Sequence, residues 1–199
     1  VPGKATREYQ KACSEVHHKK YDKAEEHLQK AIDSYSSYTA AWVLLGQIQE
    51  VAQKTDQAGE SCNRARRIDS NYAPAYLCLA HLAAAESKWK EVADITDHLF
   101  RLHPLNASNA YYYNALANLR LNNLSLAETS ALRGVEDTKK SHQPELHLLL
   151  AQIYEKKGDR NAEVAELQEY VKRAPHSSHA AQINQALSVI AKETPAGQH

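Results

Sequence analysis

Residues 40–48 read Ala-Ala-Trp-Val-Leu-Leu-Gly-Gln-Ile. The large side chains Trp42 and Leu45 lie three residues apart, which predicts a helix with one packing stripe. Gly46 sits beside that stripe and, having no side chain, lets a neighbouring helix approach closely. Further along comes Ala58, followed by Cys62 and Ala65 and then the polar run Asp69-Ser70-Asn71. The segment therefore predicts a two-helix hairpin with a small slot on each helix.

The pattern recurs along the chain. Tyr76, Leu79 and Ala80 repeat the spacing of Trp42, Leu45 and Gly46. Tyr111, Asn114 and Ala115 follow after an interval one residue longer, and His147, Leu150 and Ala151 after one longer still. Second helices are marked by Ala24, Leu28 and Ala31, by Trp89 and Leu99, by Ala127, Ala131 and Gly134, and by Leu167 and Tyr170. The first copy is degenerate, with Glu8 and Lys11 where large apolar residues are expected, as suits an end repeat whose outer face meets water or a preceding domain. Val92 and Glu163 stand where the second helix otherwise has a small residue. Pro74 and Pro144 fall in first turns, where a missing N–H costs nothing. Pro104 and Pro175 fall between repeats, and no proline lies inside a predicted helix. Beyond the repeats, Ile183, Leu187 and Ile190 make one stripe opposite Gln182, Asn184, Gln185 and Ser188, which predicts a final amphipathic helix over 180–191.

With five copies in phase over about 170 of 199 residues, the chain resembles the tetratricopeptide repeat family. That resemblance implies an all-α fold, a right-handed α-α superhelix or solenoid. It divides 5–177 into repeats at about 5–38, 39–72, 73–106, 108–143 and 144–177. A capping helix follows at 178–192, covering the open end of the array, and then a tail at 193–199. The pentatricopeptide family, which reads RNA, is the near alternative. The Trp42-Val43-Leu44-Leu45-Gly46 signature and the charge balance argue against it.

Composition narrows the function. Lys plus Arg equals Asp plus Glu at 24 each, so the basic footprint of nucleic-acid binding is missing. No apolar run is long enough to span a membrane, and none has the shape of a signal peptide. The chain has no methionine, so the expectation is a piece of a longer protein whose native start and upstream domains lie outside it. Cys13, Cys62 and Cys78 show no metal-ligand spacing and no disulfide framework, and read as small buried hydrophobes. The sequons Asn106-Ala107-Ser108 and Asn123-Leu124-Ser125 read as chance occurrences.

Catalytic chemistry is not indicated. The eleven histidines, including His17-His18, His98 with His103 and His176 with His179, lack the spacing of a zinc helix. No nucleophile elbow, P-loop or dinucleotide fingerprint is present, and the acidic residues mostly neighbour lysines, as on solvated helix faces. No enzyme, metal or cofactor is therefore expected.

The expected site is a surface. In tetratricopeptide arrays the first helix of each pair lines a concave groove. The resemblance places Val43, Gln47, Val51, Leu77, His81, Tyr112, Leu116, Arg120, Leu148 and Gln152 there, with Tyr111 in the seam between helices. Such a lining suits an amphipathic helix or an extended peptide. The cationic clamp of chaperone-tail binders is missing: the matching positions hold Tyr9, Cys13, Leu44, Pro74 and Cys78, or Val43, Gln47, Cys78, Asn109 and Tyr113 one repeat later. The expected partner is a protein or peptide, with no nucleic acid and no membrane insertion. The competing reading is a structural module that docks on its own upstream domain or on another copy. An accessory role beside catalysis located elsewhere comes third.

Overall fold

The computed structural model describes residues 1–102, 108–137 and 143–193, with side chains omitted at 108–109 and 190–193. His103, Pro104, the Asn106 sequon, the Ile190 side chain and the tail from Thr194 lie outside the described residues. Among those described there are eleven α-helices and no strand. They are α1 Gly3–His17, α2 Tyr21–Ser34, α3 Thr39–Val51, α4 Thr55–Ile68, α5 Ala73–Ala85 and α6 Trp89–Leu102. Then come α7 Ser108–Arg120, α8 Leu124–Asp137, α9 Glu145–Lys157, α10 Arg160–Arg173 and α11 Ala180–Glu193. The chain forms two compact units, Val1–Ala110 and Tyr111–His199.

Each odd-numbered helix from α1 to α9 ends the same way. Lys19, Gln53, Ser87, Asn122 and Gly158 take left-handed φ values of 57–75°. The next N–H reaches back five residues, as from Lys54 to the Gln49 carbonyl at 2.8 Å and from Asp159 to Tyr154 at 2.9 Å. This satisfies carbonyls that the helix end would otherwise leave bare. Gly158 adopts the conformation without strain and Asn122 tolerates it, whereas Lys19, Gln53 and Ser87 are held left-handed at roughly 1–2 kcal/mol each. Pro74 lies in the first turn of α5 and Pro144 caps α9.

In the first unit the hairpins α1–α2, α3–α4 and α5–α6 stack in order, with α2 on α3, α4 on α5 and α3 beside α5. Ala12, Ala24, Leu28 and Ala31 are fully buried and pack with Leu45 and Ile48. Trp42 packs against this cluster and against the next one. Its indole N–H donates to the Ser36 carbonyl at 2.8 Å. One repeat later the Tyr76 hydroxyl donates to the Ser70 carbonyl, also at 2.8 Å. Each aromatic thus fills the seam and ties its helix to the preceding turn.

At the second seam a Cβ on Gly46 would stand 2.5 Å from the Cys62 sulfur, 3.0 Å from the Ala58 carbonyl and 3.4 Å from the Cys78 sulfur. Cys62 and Cys78 are disulfide-bonded with Cα atoms 6.0 Å apart, and Cys13 is exposed. This corrects the reading of the cysteines as three unpaired buried hydrophobes. Their spacing along the chain gives no hint of the bond, because the partners lie on α4 and α5 and meet only when the second hairpin stacks on the third.

The degenerate first copy is explained by a cross-helix pair. Glu8 accepts from Lys11 at 2.8 Å and meets His27 of α2 at 2.7 Å. In the second unit His147 and Glu166 make a 2.6 Å pair between α9 and α10. That unit also buries Ala115, Leu119, Ala127, Ala131, Leu149, Leu150 and Ile153 together. A Cβ on Gly134 would stand 3.0 Å from Leu146 and from the Tyr111 Cβ, so Tyr111 sits in the seam with α8. Ser130 donates to the Asn114 side chain at 2.6 Å and Asn118 to Asn114 at 3.1 Å, so these buried polar groups satisfy one another. Helix α11 packs on α10, burying Ala180 while Ile183 and Leu187 stay half-buried.

The seam geometry sets the response to small substitutions. Gly46→Ala should cost about 1–3 kcal/mol, because the added methyl meets sulfur and backbone at sub-van der Waals distance. Gly59→Ala, in open space on α4, should instead stabilise by about 0.5–1 kcal/mol through helix propensity. Urea unfolding of both variants checks the pair, and equal effects would contradict the seam geometry. The Glu8 carboxyl is held down to about 2, first by the Lys11 ammonium and then by His27. Its folded value lies below the unfolded one, so its stabilisation is present above pH 4.5 and fades as pH falls toward 2. Melting curves across that window should fall less steeply for Glu8→Gln than for the wild-type chain.

Candidate functional site

In the first unit, the outward residues of α3 and α5 form the surface nearest to expectation. Gln47 and Val51 are exposed, Leu77 is half-buried, and His81 is exposed with its Nδ1 3.3 Å from the Glu50 carboxylate. Val43 is different. It is only 5 % exposed and packs among Ala58, Cys62, Ala75, Cys78 and Leu82. Val43 is therefore core and not groove, because at this register the stacking of α5 on α3 and α4 covers it.

The same register on α1 carries residues that sequence reasoning left out of the site. Tyr9 and Cys13 stand one repeat before Val43 and Gln47. Tyr9 packs on Tyr38 with ring centroids 5.0 Å apart, and Tyr38 lies 6.3 Å from Tyr35. Burial raises the Tyr9 hydroxyl pKa most, and the Cys13 thiol, Tyr72 and Tyr38 add to it. Tyr38 is raised by burial and then by Cys13 and Tyr72, and Tyr72 by burial and then by Asp69. All three are neutral phenols at pH 7, able to donate and accept hydrogen bonds. The available signal is the recurrence of tyrosine at the end of two successive repeats, Tyr38 and Tyr72.

A separate cleft of about 510 Å³ in this unit has Leu79 and Leu82 in its lining and four carboxylates, Asp56, Glu60, Glu86 and Glu91, around Lys88. The Lys88 ammonium pairs with Glu86 at 2.6 Å. Its pKa is raised chiefly by Glu86 and further by Glu91 and Asp56, so the local field favours cations.

In the second unit Tyr112 and Leu116 are half-buried on α7 and Arg120 is exposed at its end. Tyr112 meets Tyr113 edge-on at 5.5 Å. Its hydroxyl pKa is raised by burial and by Glu145, against the opposing pull of Arg120. Leu148 and Gln152 of α9 line a cleft of about 290 Å³ together with Leu167 of α10, His179 just before α11, and Gln182 and Ile183 in the first turn of α11. The last helix therefore contributes to this site. Periodicity assigns its stripe wholly to covering the array, which is why sequence reasoning missed it.

Among the described residues no group of three or more His, Cys, Asp or Glu side chains is arranged to hold a metal ion. The close His–carboxylate pairs, His27 with Glu8 and His147 with Glu166, join the two helices of one hairpin. What these surfaces offer is a mixture of apolar, aromatic and hydrogen-bonding side chains on successive helices.

Two tetratricopeptide repeat models match the chain, one over residues 9–73 and one over 144–177. No curated protein matches it in sequence. Among solved structures it is similar to PilF of Pseudomonas aeruginosa, at 14 % identity and a TM-score of 0.83 over 95 % of this chain and 85 % of that one. It is similar to TTC0263, a thermophilic TPR protein of Thermus thermophilus, at 14 % identity and a TM-score of 0.71 over 94 % and 99 %. A third is YrrB, described as a TPR protein with an unusual peptide-binding site, at 15 % identity and a TM-score of 0.65 over 94 % and 91 %. This is the fold of protein–protein interaction scaffolds, and none of the described helices is long and apolar enough to cross a membrane. Repeated hairpins in phase, family-model matches at both ends and fold agreement along nearly the whole chain lead to one conclusion: the protein belongs to the tetratricopeptide repeat family.

Proposed function

We propose that the chain binds a peptide or helical segment of a protein partner on the outward faces of its odd-numbered helices. The observation that carries this reading is the side-chain sorting along them. On α3, Val43 is buried whereas Gln47, one turn on, is exposed. On α5 and α9 the residues one turn apart, Leu77 with His81 and Leu148 with Gln152, run from half-buried to exposed. On α5 and α9 an apolar ledge is thus paired with a polar tip, the combination that peptide grooves use for anchoring and for orientation. In the first unit the face comprises Gln47, Val51, Leu77 and His81, with Tyr9, Tyr38 and Tyr72 in register beside it. In the second it comprises Tyr112, Leu116, Arg120, Leu148 and Gln152. The peptide-binding description of YrrB lends support by likeness of fold alone. The tyrosines and Arg120 belong to the residue types that most often dominate binding energy.

The test uses a partner captured on the immobilised chain and then purified. Tyr112→Ala with Arg120→Ala, and separately Gln47→Ala with His81→Ala, should each weaken binding by about tenfold or more, a hot-spot loss of about 1.4 kcal/mol. Helical circular dichroism should be unchanged in all of these variants. Normal binding by every one of them, with association abolished by changes on the outer face of α1, would replace groove binding with docking through the first hairpin.

A further inference from the structure

We infer that the Cys62–Cys78 bond is an oxidation-dependent lock, formed as the chain folds in an oxidising compartment, which fixes how the second hairpin seats on the third. It stands whether or not the neighbouring face binds a peptide. The two sulfurs join α4 to α5 and lie against the backbone of α3. Their surroundings leave no room: Ala58, Ala65 and Ala75 are fully buried around them, and at Gly46 even a methyl would meet the Cys62 sulfur. Breaking the bond removes the one covalent tie between α4 and α5 at this junction, where Gly46 of α3 leaves no space beside the Cys62 sulfur. Gln47, Glu50 and His81, carried on α3 and α5, move with that junction.

The location also says when the bond forms. Both residues are buried, and thiol–disulfide exchange needs a thiolate to reach a sulfur directly. In the folded unit that path is closed, so the bond is made as the second hairpin seats on the third, while an oxidant can still reach the sulfurs, and persists until the junction opens. Forming it takes two electrons and two protons from the thiols to an oxidant of the disulfide class, which leaves as a dithiol. Such bonds persist in oxidising compartments and are rare where thiols are kept reduced. Cys13, exposed on α1, is left as a thiol.

Thiol counting tests this on the intact chain. The chain is produced by export to a bacterial periplasm and by cytosolic expression, quenched in acid, denatured and alkylated without reductant. The exported chain should show one alkylated cysteine, Cys13, and a linked Cys62–Cys78 peptide pair, and the cytosolic chain three alkylated cysteines. Unfolding the exported chain and refolding it in dithiothreitol, which opens the junction to the reductant, should lower its melting temperature by roughly 5–10 °C. Cys13→Ser should keep that response, and Cys62→Ala with Cys78→Ala should lose it. Amide exchange on reduction should speed up in α4 and α5 and stay unchanged in α9 and α10. Three alkylated cysteines in the exported chain, or a melting temperature indifferent to reductant, would overturn the lock. A bond already present in the cytosolic product would overturn its dependence on an oxidising compartment. The thiol count and the reductant response of the wild-type chain decide the matter even if the double variant does not fold.

Discussion

The close approach of helices at small residues sets every other distance in these units. Gly46 brings α3 so near α4 that an added carbon would touch the Ala58 carbonyl. Ala12, Ala24, Ala80, Ala115, Ala127 and Ala131, all fully buried, occupy the seams of the other hairpins. With the backbones that close, Leu28, Leu45, Ile48, Leu119 and Leu150 reach across and fill the space between helices. Fully burying such a side chain contributes about 1.5–3 kcal/mol. Larger residues in the slots would hold the helices apart and forfeit those contacts, since a gap of even an ångström loses much of the dispersion attraction.

The slot filled by Trp42 and Tyr76 shows how much chemistry the architecture tolerates once that spacing is fixed. In the first hairpin Glu8 and His27 stand at this seam, and in the last His147 and Glu166 do. A lone charge there would be costly to desolvate, whereas a hydrogen-bonded pair contributed by both helices offsets the loss. The buried Asn114–Asn118–Ser130 group follows the same rule within α7 and α8. Polar substitution of a repeat is thus compatible with its fold when the partner arrives from the facing helix.

Burial at the seams also decides what is left for partners. A helix that spends one face on its own hairpin and another on the next has a single strip remaining. One helical turn along α3 separates Val43 in the core from Gln47 in water. The surfaces proposed for partners are therefore by-products of stacking, and the Cys62–Cys78 bond lies beneath one of them, against α3.

The sequence by itself determined the helical hairpins, their phase and the family, because small slots at nearly constant intervals leave few other ways to bury the stripes. It also placed Tyr111 in a seam and Gln47, Val51, His81, Arg120 and Gln152 outside the core, since helical spacing fixes which residues share a face. Tertiary structure alone decided what lies across a seam. Val43 became core because α5 stacks over it, and Cys62 found Cys78 because the packing of α4 on α5 brings the two into bonding range. Tyr9 met Tyr38, and the first residues of α11 joined Leu148 and Gln152 around one cleft. Periodicity reports the face a residue occupies on its own helix, whereas these outcomes depend on which other helix is pressed against that face.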